Sequence, residues 1–161
     1  MEHNDDIISL AVNENPKFKN IVATGQIGIV PELHIWNALT LEKLSILTGL
    51  HKNGVCSLNF SSSGKLLVSV GLDSVFTVCV WRWKDGAIVA SHVGDIAGRR
   101  IFKAAFRPDS DSTFVSVGFK HVRFWNVAGS QLIQKRGVTT TSANKVRKLP
   151  TMLSIGFGQV N

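Results

Sequence analysis

Short apolar runs alternate with polar, turn-prone links along the whole chain. Runs such as IISLAV (7–12), NIVATG (20–25) and LHIW (33–36) are rich in Ile, Val and Leu, as expected for β-strands. Links such as NENPKFKN (13–20) and SSSGK (61–65) carry the Asn, Ser, Gly and Pro residues that are typical of turns. No stretch of useful length has a helical period. The pattern therefore predicts an all-β chain.

The runs recur with a period in the forties, and each unit contains four of them. The tryptophans that end the third run are spaced by 45 and 44 residues: Trp36, Trp81 and Trp125. The glycines that end the second run are spaced by 46 and 47 residues: Gly25, Gly71 and Gly118. Four strands in about 40–45 residues, with a tryptophan closing the third, are the sequence signature of a β-propeller blade.

The repeat predicts three four-stranded antiparallel blades and the first strand of a fourth. The boundaries are 1–49 for blade 1, 50–93 for blade 2 and 94–136 for blade 3, and the basic loop and first strand of a truncated blade 4 fill 137–161. The last strand is predicted at MLSIGF, Met152 to Phe157. A closed propeller needs roughly four to eight blades, so we expect an incomplete propeller. Its open ends favour marginal stability, self-association or a partner that supplies further blades.

The second unit resembles a WD40 repeat in four residues at the family's spacing: His51, Ser69, Asp73 and Trp81. In WD40 repeats these residue types form a hydrogen-bonded tetrad. The resemblance implies that Asp73 orients His51, that His51 bonds the Ser69 hydroxyl, and that this hydroxyl accepts from Trp81. Such a network would satisfy a buried indole N–H and a buried carboxylate.

The other two units depart from that tetrad. The residues that they retain are His3 and Trp36 in the first unit and Ser116 and Trp125 in the third. Ala23 and Ile27 stand where the first unit should have its hydroxyl and acid, and Lys120 stands where the third should have its acid. No glycine–histidine pair precedes the first strand of the third unit. We therefore expect a complete network in the second unit alone.

The amino-acid sequence of the segments within and between the repeats narrows the resemblance to one family. Over about residues 2–158 the chain resembles the first WD40 propeller of the tandem pair in the echinoderm microtubule-associated protein-like (EMAP-like) family. The segments that carry the resemblance follow one another as HNDDIISLAVN, VATGQIG, LHIWNALTLEKLSIL, HKNGVCSLNFSSSGK, SVGLDS, VCVWRWKDG and KHVRFWNVAG. The resemblance implies microtubule and tubulin binding in the cytoplasmic cytoskeleton. The family's hydrophobic motif and remaining blades do not occur in this sequence, so we expect a fragment, a short isoform or a truncated gene model.

Basic residues are concentrated in one third of the chain. Residues 1–98 carry seven Lys and Arg against nine Asp and Glu, whereas residues 99–150 carry eleven against two, a net charge of +9. Such a field attracts polyanions. The loop 137–148 is the strongest candidate loop. The candidate partner-binding residues are Arg99, Arg100, Lys120, Arg123, Lys135, Arg136, Arg147 and Lys148.

These features favour a non-catalytic interaction module that binds tubulin or microtubules. Two alternatives remain: a nucleic-acid or ribonucleoprotein scaffold that uses the basic third, and a general protein scaffold without tubulin affinity. The aromatic residues occupy core-period positions in strands rather than the basic loop, which matches base stacking poorly. Nucleic acid is therefore the weaker of the expected partners.

Ser69, His51 and Asp73 also invite comparison with a catalytic triad. The serine, however, lies inside a strand of alternating apolar residues rather than at an exposed elbow, so we predict no enzymatic activity and no cofactor. Cys56 and Cys79 are isolated in apolar runs, which excludes a disulfide framework and a CxxC metal site. No apolar run approaches the ~18 residues that a membrane helix needs, so no membrane partner is expected.

Overall fold

Three four-stranded antiparallel sheets form the fold of this chain, of which a computed structural model describes residues 3–140, 146–147 and 149–158. Blade 1 contains β1 (Ile7–Val12), β2 (Ile21–Gly28), β3 (Leu33–Asn37) and β4 (Lys43–Leu47). Blade 2 contains β5 (Asn53–Phe60), β6 (Leu66–Gly71), β7 (Val78–Arg82) and β8 (Ala87–His92). Blade 3 contains β9 (Ile101–Phe106), β10 (Thr113–Gly118), β11 (His121–Ala128) and β12 (Gln131–Arg136). A turn of 3-10 helix, Pro16–Phe18, follows β1, and β13 (Thr139–Thr140), which follows β12, pairs antiparallel with β14 (Val146–Arg147).

Each blade is a meander in which consecutive strands pair, and the blades stack face to face around two apolar clusters. Leu67 and Trp81 of blade 2 pack in the cluster shared with blade 1. Val68 and Val80, their neighbours along the same strands, pack in the cluster shared with blade 3. Because successive side chains point to opposite faces of a sheet, the middle blade is buried on both faces. This double burial explains its nearly continuous apolar runs.

Polar contacts between the first strands tie the blades together. The Ser9 hydroxyl of β1 donates to the Val55 carbonyl of β5 at 2.6 Å. The Phe106 N–H of β9 donates to the Asn59 side chain of β5 at 2.8 Å. The ends of β2 and β5 also pair over two residues, which joins blades 1 and 2 in one extended sheet. The first strands thus define a common inner edge from which the blades radiate.

The segment predicted as the first strand of a fourth blade, Met152 to Phe157, is not a strand. The Met152 N–H donates to the Gly118 carbonyl at 3.0 Å. Residues 155–157 line a groove of 470 Å³ together with residues of β1, β5 and β9. A strand completes its backbone hydrogen bonds on a neighbouring strand, and no described strand pairs with this segment. The prediction was wrong because the apolar pattern alone does not supply that neighbour.

The glycines that recur in the second strand of each blade occupy places without room for a side chain. A Cβ on Gly25 would lie 2.6 Å from Ser9 Oγ, and a Cβ on Gly118 would lie 2.0 Å from the Arg100 carbonyl oxygen. Real Cβ atoms essentially never approach another heavy atom within 3.0 Å. The repeated glycine is therefore required by the close approach of the adjacent chain.

We predict that Gly118→Ala destabilises the fold by about 1–3 kcal/mol, because the added methyl group meets a backbone oxygen rather than a flexible side chain. Gly156→Ala is the matched control, since a Cβ there meets nothing within 4 Å. Urea unfolding followed by tryptophan fluorescence measures both free energies of unfolding. Equal values for the two variants would contradict the steric argument.

Candidate functional site

Three of the four residues predicted to form the blade 2 network are hydrogen-bonded at one end of the sheet. The indole N–H of Trp81 donates to Ser69 Oγ at 2.7 Å. His51 Nε2 lies 2.6 Å from the same oxygen. All three side chains are buried, and Ser69 is 0% exposed. The hydroxyl is therefore committed to two buried partners and is not presented to solvent as a nucleophile.

Asp73, the fourth residue, does not bond His51. Its carboxylate accepts from the backbone N–H groups of Val75 and Thr77 and from the Thr77 hydroxyl, and His51 Nδ1 has no hydrogen-bond partner. The expectation that Asp73 orients His51 fails because the turn's own donors occupy the carboxylate. Burial lowers the pKa of His51 to about 4, and the negative charge of Asp73 offsets only part of that effect. His51 is therefore neutral at pH 7.

Blade 3 has a complete network, contrary to the prediction from sequence. The Trp125 indole donates to Ser116 Oγ at 2.9 Å, and His121 Nε2 lies 2.7 Å from that oxygen. His121 Nδ1 lies 3.0 Å from Asp95 Oδ2. The histidine is the first residue of the third strand, directly after the turn that follows the second strand, and the acid comes from the link before the first strand. This order is the reverse of that in blade 2, so the residue spacing of blade 2 does not predict the network of blade 3.

Asp95, the acid of the blade 3 network, has several hydrogen-bond and charge partners besides His121. Its side chain is 1% exposed and lies 3.3 Å from Arg99 Nε and 3.9 Å from Arg123 Nη2, and it accepts from the Ala97 N–H at 2.9 Å. Burial alone would raise the pKa of Asp95, but hydrogen bonds from His121, the Ala97 N–H and Arg99 outweigh it and lower the pKa. Asp95 is therefore a buried carboxylate whose charge is balanced by two guanidinium groups.

The proton positions in the blade 3 network follow from its partners. Burial lowers the pKa of His121, although Asp95 acts in the opposite direction, so the imidazole is neutral at pH 7. The Asp95 carboxylate can only accept, which assigns the single ring proton to His121 Nδ1. His121 Nε2 then accepts from the Ser116 hydroxyl, whose oxygen accepts from Trp125. One chain of donors and acceptors thus runs from the carboxylate to the indole.

Blade 1 contains the same kind of hydrogen-bond network, formed by different residue types. The Trp36 indole donates to Thr24 Oγ1 at 2.8 Å, and His3 Nε2 lies 2.7 Å from that oxygen. On the other side of the ring, His3 Nδ1 lies 2.6 Å from Gln26 Oε1. A threonine supplies the hydroxyl, and an amide oxygen replaces the carboxylate as the group that orients the histidine. The prediction that blade 1 lacks a network is also wrong.

The repeat alignment missed Thr24 and Gln26 by one residue each. It assigned their places to Ala23 and Ile27, but Ala23 packs in the apolar cluster between blades 1 and 2. A shift of one residue along a strand moves a side chain to the opposite face of the sheet. An alignment anchored on Gly25 therefore placed the wrong face of β2 in the network. The signal that could have found the pair is the alternation of Val22, Thr24 and Gln26.

Five of the six predicted basic residues whose side chains are described fall into two groups. Arg99 and Arg123 contact Asp95, and Arg123 also donates to the Gln134 side chain. They neutralise a buried acid and are not free for a partner in the way that the sequence suggested. Exposed residues at the same end of blade 3 form a second group, which we call the basic cluster: Arg100, Lys120 and Arg136.

Backbone contacts place the members of the basic cluster at one end of blade 3. The Arg100 carbonyl accepts from the N–H of Phe119, the residue before Lys120, at 2.8 Å. Arg136 pairs with Arg123 across the β11–β12 ladder, near the end at which β11 begins. Lys135 pairs with Phe124, and the alternation of side chains puts it on the other face of the sheet.

Two predicted basic residues cannot be placed as side chains. Arg147 belongs to β14 by its backbone. Lys148 and residues 141–145 of the predicted binding loop lie outside the described residues. Among the described residues, no group of three or more His, Cys, Asp or Glu is placed to hold a metal ion. The same part of the chain has no helix long and apolar enough to cross a membrane.

Stacked four-stranded meanders, each with an indole–hydroxyl–histidine network that is buried in blades 2 and 3 and half-buried in blade 1, define a β-propeller of the WD-repeat class. Solved structures share this fold. The Myceliophteria thermophila Cps50 (Swd1) β-propeller domain superposes with a TM-score of 0.69 at 18% identity, over 89% of this chain and 42% of that one. The RRP9 WD40 repeats superpose with a TM-score of 0.68 at 20% identity, over 85% of this chain and 40% of that one.

Sequence comparison assigns the chain to one family within this fold class. The family model described as "Echinoderm microtubule-associated protein first beta-propeller" matches residues 1–161, and the chain belongs to that family. The 77 kDa echinoderm microtubule-associated protein of Lytechinus variegatus is 31% identical over 98% of this chain and 24% of its own length. Echinoderm microtubule-associated protein-like 2 of Mus musculus is 30% identical over 84% of this chain and 22% of its own length. The predictions of a WD40 fold and of this family are confirmed, and the chain spans about a quarter of the length of these relatives.

We predict that Asp95→Asn destabilises the protein by about 3 kcal/mol, because it leaves the Arg99 and Arg123 charges without their buried counter-charge. Asp73→Asn is the matched control. It should cost less than about 1 kcal/mol, since an amide oxygen still accepts from the turn. Urea unfolding of both variants gives the comparison. A larger loss of stability for Asp73→Asn than for Asp95→Asn would contradict the structure, because Asp73 would then be the more important acid, as the sequence alone suggested.

Proposed function

We propose that this chain is a non-catalytic propeller module that associates with microtubules through the basic cluster of blade 3. The relatives that it matches are named microtubule-associated proteins, and the chain corresponds to their first propeller. Their names describe proteins about four times as long, so the assignment to this chain needs support from its own residues. The proposed place of action is the cytoskeleton.

The unbalanced positive charge at one end of blade 3 is the observation that carries the proposal. Arg100, Lys120 and Arg136 are all exposed. The acid of the blade 3 network, Asp95, is buried and already bonded to Arg99. It therefore offers the basic cluster little compensation. An acidic protein surface would gain favourable charge pairs there, and an electrostatically complementary encounter also accelerates binding.

The corresponding end of blade 1 has the opposite charge. Asp5 and Asp6 precede β1 and are exposed, and Glu32 lies in the link between β2 and β3. The sign of the charge thus changes from blade 1 to blade 3 on the same side of the blade array. This asymmetry gives an acidic partner one preferred place to dock.

The basic cluster is also held on rigid backbone. Lys120 lies in a two-residue turn between β10 and β11 and adopts a positive φ of 49°. The first residue of that turn, Phe119, is hydrogen-bonded to Arg100. Because the turn is already ordered, binding immobilises little more than side chains, and less conformational entropy is lost. Loops that carry binding residues on a rigid scaffold are a common arrangement.

Phe119 gives the nucleic-acid alternative one specific observation in its favour. Its ring is 45% exposed, and Lys120 Nζ lies 5.1 Å from the ring centroid. A basic residue beside an exposed ring can hold a phosphate and stack a base. Single-stranded nucleic-acid sites use several successive stacking platforms, whereas this turn offers one ring. RNA is therefore the second candidate and belongs in the same experiment.

We predict that the triple variant Arg100→Gln/Lys120→Gln/Arg136→Gln binds microtubules about tenfold more weakly than the unmodified chain, since exposed charge pairs are each worth roughly 0.2–1 kcal/mol. Co-sedimentation with microtubules at two salt concentrations measures the affinity. Binding of the unmodified chain should weaken as salt screens the pairs. A labelled single-stranded RNA is titrated in parallel.

The matched control for this experiment removes the same number of charges elsewhere. Lys17→Gln/Lys19→Gln/Lys65→Gln changes three exposed lysines in the links after the first strands of blades 1 and 2, and it should pellet like the unmodified chain. Equal weakening in both triple variants would show that only net charge matters and would reject the basic cluster as the site. RNA binding without pelleting would reject microtubule association and favour the alternative.

A further inference from the structure

We infer that the end of blade 3 binds an extended acidic peptide segment that also carries apolar side chains. The inference rests on the proposed function, because it names the kind of partner surface that the basic cluster takes. It goes further in assigning a second, apolar contact to the same place. That contact would distinguish the preferred segment from other polyanions.

Two large exposed apolar side chains lie on the backbone segments that carry Arg100 and Lys120, and we call them the apolar pair: Ile96 and Phe119. Ile96 is 82% exposed, and Phe119 is 45% exposed. Ile96 lies in the link before β9, and Phe119 lies in the turn between β10 and β11. Arg100 and Lys120 belong to the same two backbone segments, so each segment presents one apolar and one basic side chain.

The blade 3 network holds these two segments together. In the link, the Gly98 N–H donates to the Asp95 carbonyl at 3.0 Å, and the Asp95 N–H donates to the Val75 carbonyl of blade 2 at 2.9 Å. The Asp95 side chain then bonds His121, the residue directly after the turn that carries Phe119. Arg99 adds a contact from its Nη1 to the Lys120 carbonyl at 3.5 Å. The apolar pair is therefore displayed on two fixed turns rather than on a mobile loop.

The alternation of apolar and basic groups favours an extended peptide as the partner. The nearby carboxylate of Asp95 is already occupied, so the partner must bring its own negative charge. Projecting turns place Ile96 and Phe119 outside the sheet, where a flexible segment can wrap around them while its acidic side chains reach Arg100 and Lys120. Burying one Leu or Phe side chain of the segment, even in part, is worth about tenfold in affinity.

Two fluorescein-labelled peptides test the inference by fluorescence anisotropy with the full chain. One is an oligoglutamate, and the other contains the same number of glutamates interrupted by Leu and Phe. The interrupted peptide should bind about tenfold more tightly, since both have the same charge and only one can fill the apolar contact. In the double variant Ile96→Ser/Phe119→Ser, the affinity for the oligoglutamate should be unchanged and the tenfold preference should disappear.

The matched control removes an exposed apolar pair from the segment between β2 and β3 of blade 1, which corresponds to the turn that carries Phe119 in blade 3. Ile29 and Val30 are 88% and 62% exposed, and Ile29→Ser/Val30→Ser should keep the tenfold preference. Equal affinity of the unmodified chain for both peptides would overturn the inference, as would a preference that survives in Ile96→Ser/Phe119→Ser.

The failure of this inference and the failure of the proposed function give different results. Pelleting that depends on the basic cluster, without any preference between the peptides, would leave microtubule association in place and remove the apolar contact. A preference between the peptides without microtubule pelleting would leave the peptide site and remove its assignment to microtubules.

Discussion

The indole N–H of the third-strand tryptophan, buried in blades 2 and 3 and half-buried in blade 1, must have an acceptor, and each blade depends on this constraint. Trp81 and Trp125 are each 1% exposed, and leaving either indole unpaired would cost about 1–3 kcal/mol. In every blade one hydroxyl accepts that bond and is fixed in turn by a histidine. The group that bonds Nδ1 of the histidine, on the side away from the hydroxyl, varies between blades. It is the Gln26 amide in blade 1, the Asp95 carboxylate in blade 3, and in blade 2 no group bonds the outer nitrogen of His51. The hydroxyl and the imidazole thus recur in all three networks, whereas the group at the outer histidine nitrogen differs from blade to blade.

In blade 3 the histidine and the acid have exchanged places relative to blade 2, and this exchange links the internal network to the surface. Because Asp95 lies in the link before β9, it also contacts Arg99 and Arg123. These two positive charges therefore stabilise the fold by neutralising a buried acid. The basic residues left over at the same end, Arg100 and Lys120 among them, are exposed on turns that the network holds. The same hydrogen bonds that satisfy Trp125 therefore also set the shape of the surface proposed to bind a partner.

The sequence predicts the strands, their grouping and the tryptophans well, because all three follow from a period that the chain repeats. It does not predict the networks, because these depend on which face a side chain occupies and on contacts between distant residues. Thr24 was missed through a slip of one residue along β2. Asp95 was missed because in blade 3 the acid lies in the link before the first strand, where blade 2 has its histidine. Met152 to Phe157 carries the pattern of a first strand, but no described strand pairs with it, and pattern alone does not supply a hydrogen-bonding neighbour.

The ionisation and tautomer of His121 test the central claim most directly. A long-range proton–nitrogen correlation spectrum of the imidazole groups at pH 7.5 reports which ring nitrogen carries a proton. The network predicts a neutral His121 that is protonated at Nδ1 toward Asp95 and unprotonated at Nε2 toward Ser116. A ring protonated at Nε2 alone, or at both nitrogens, would contradict the relay from carboxylate to indole on which the account of blade 3 depends.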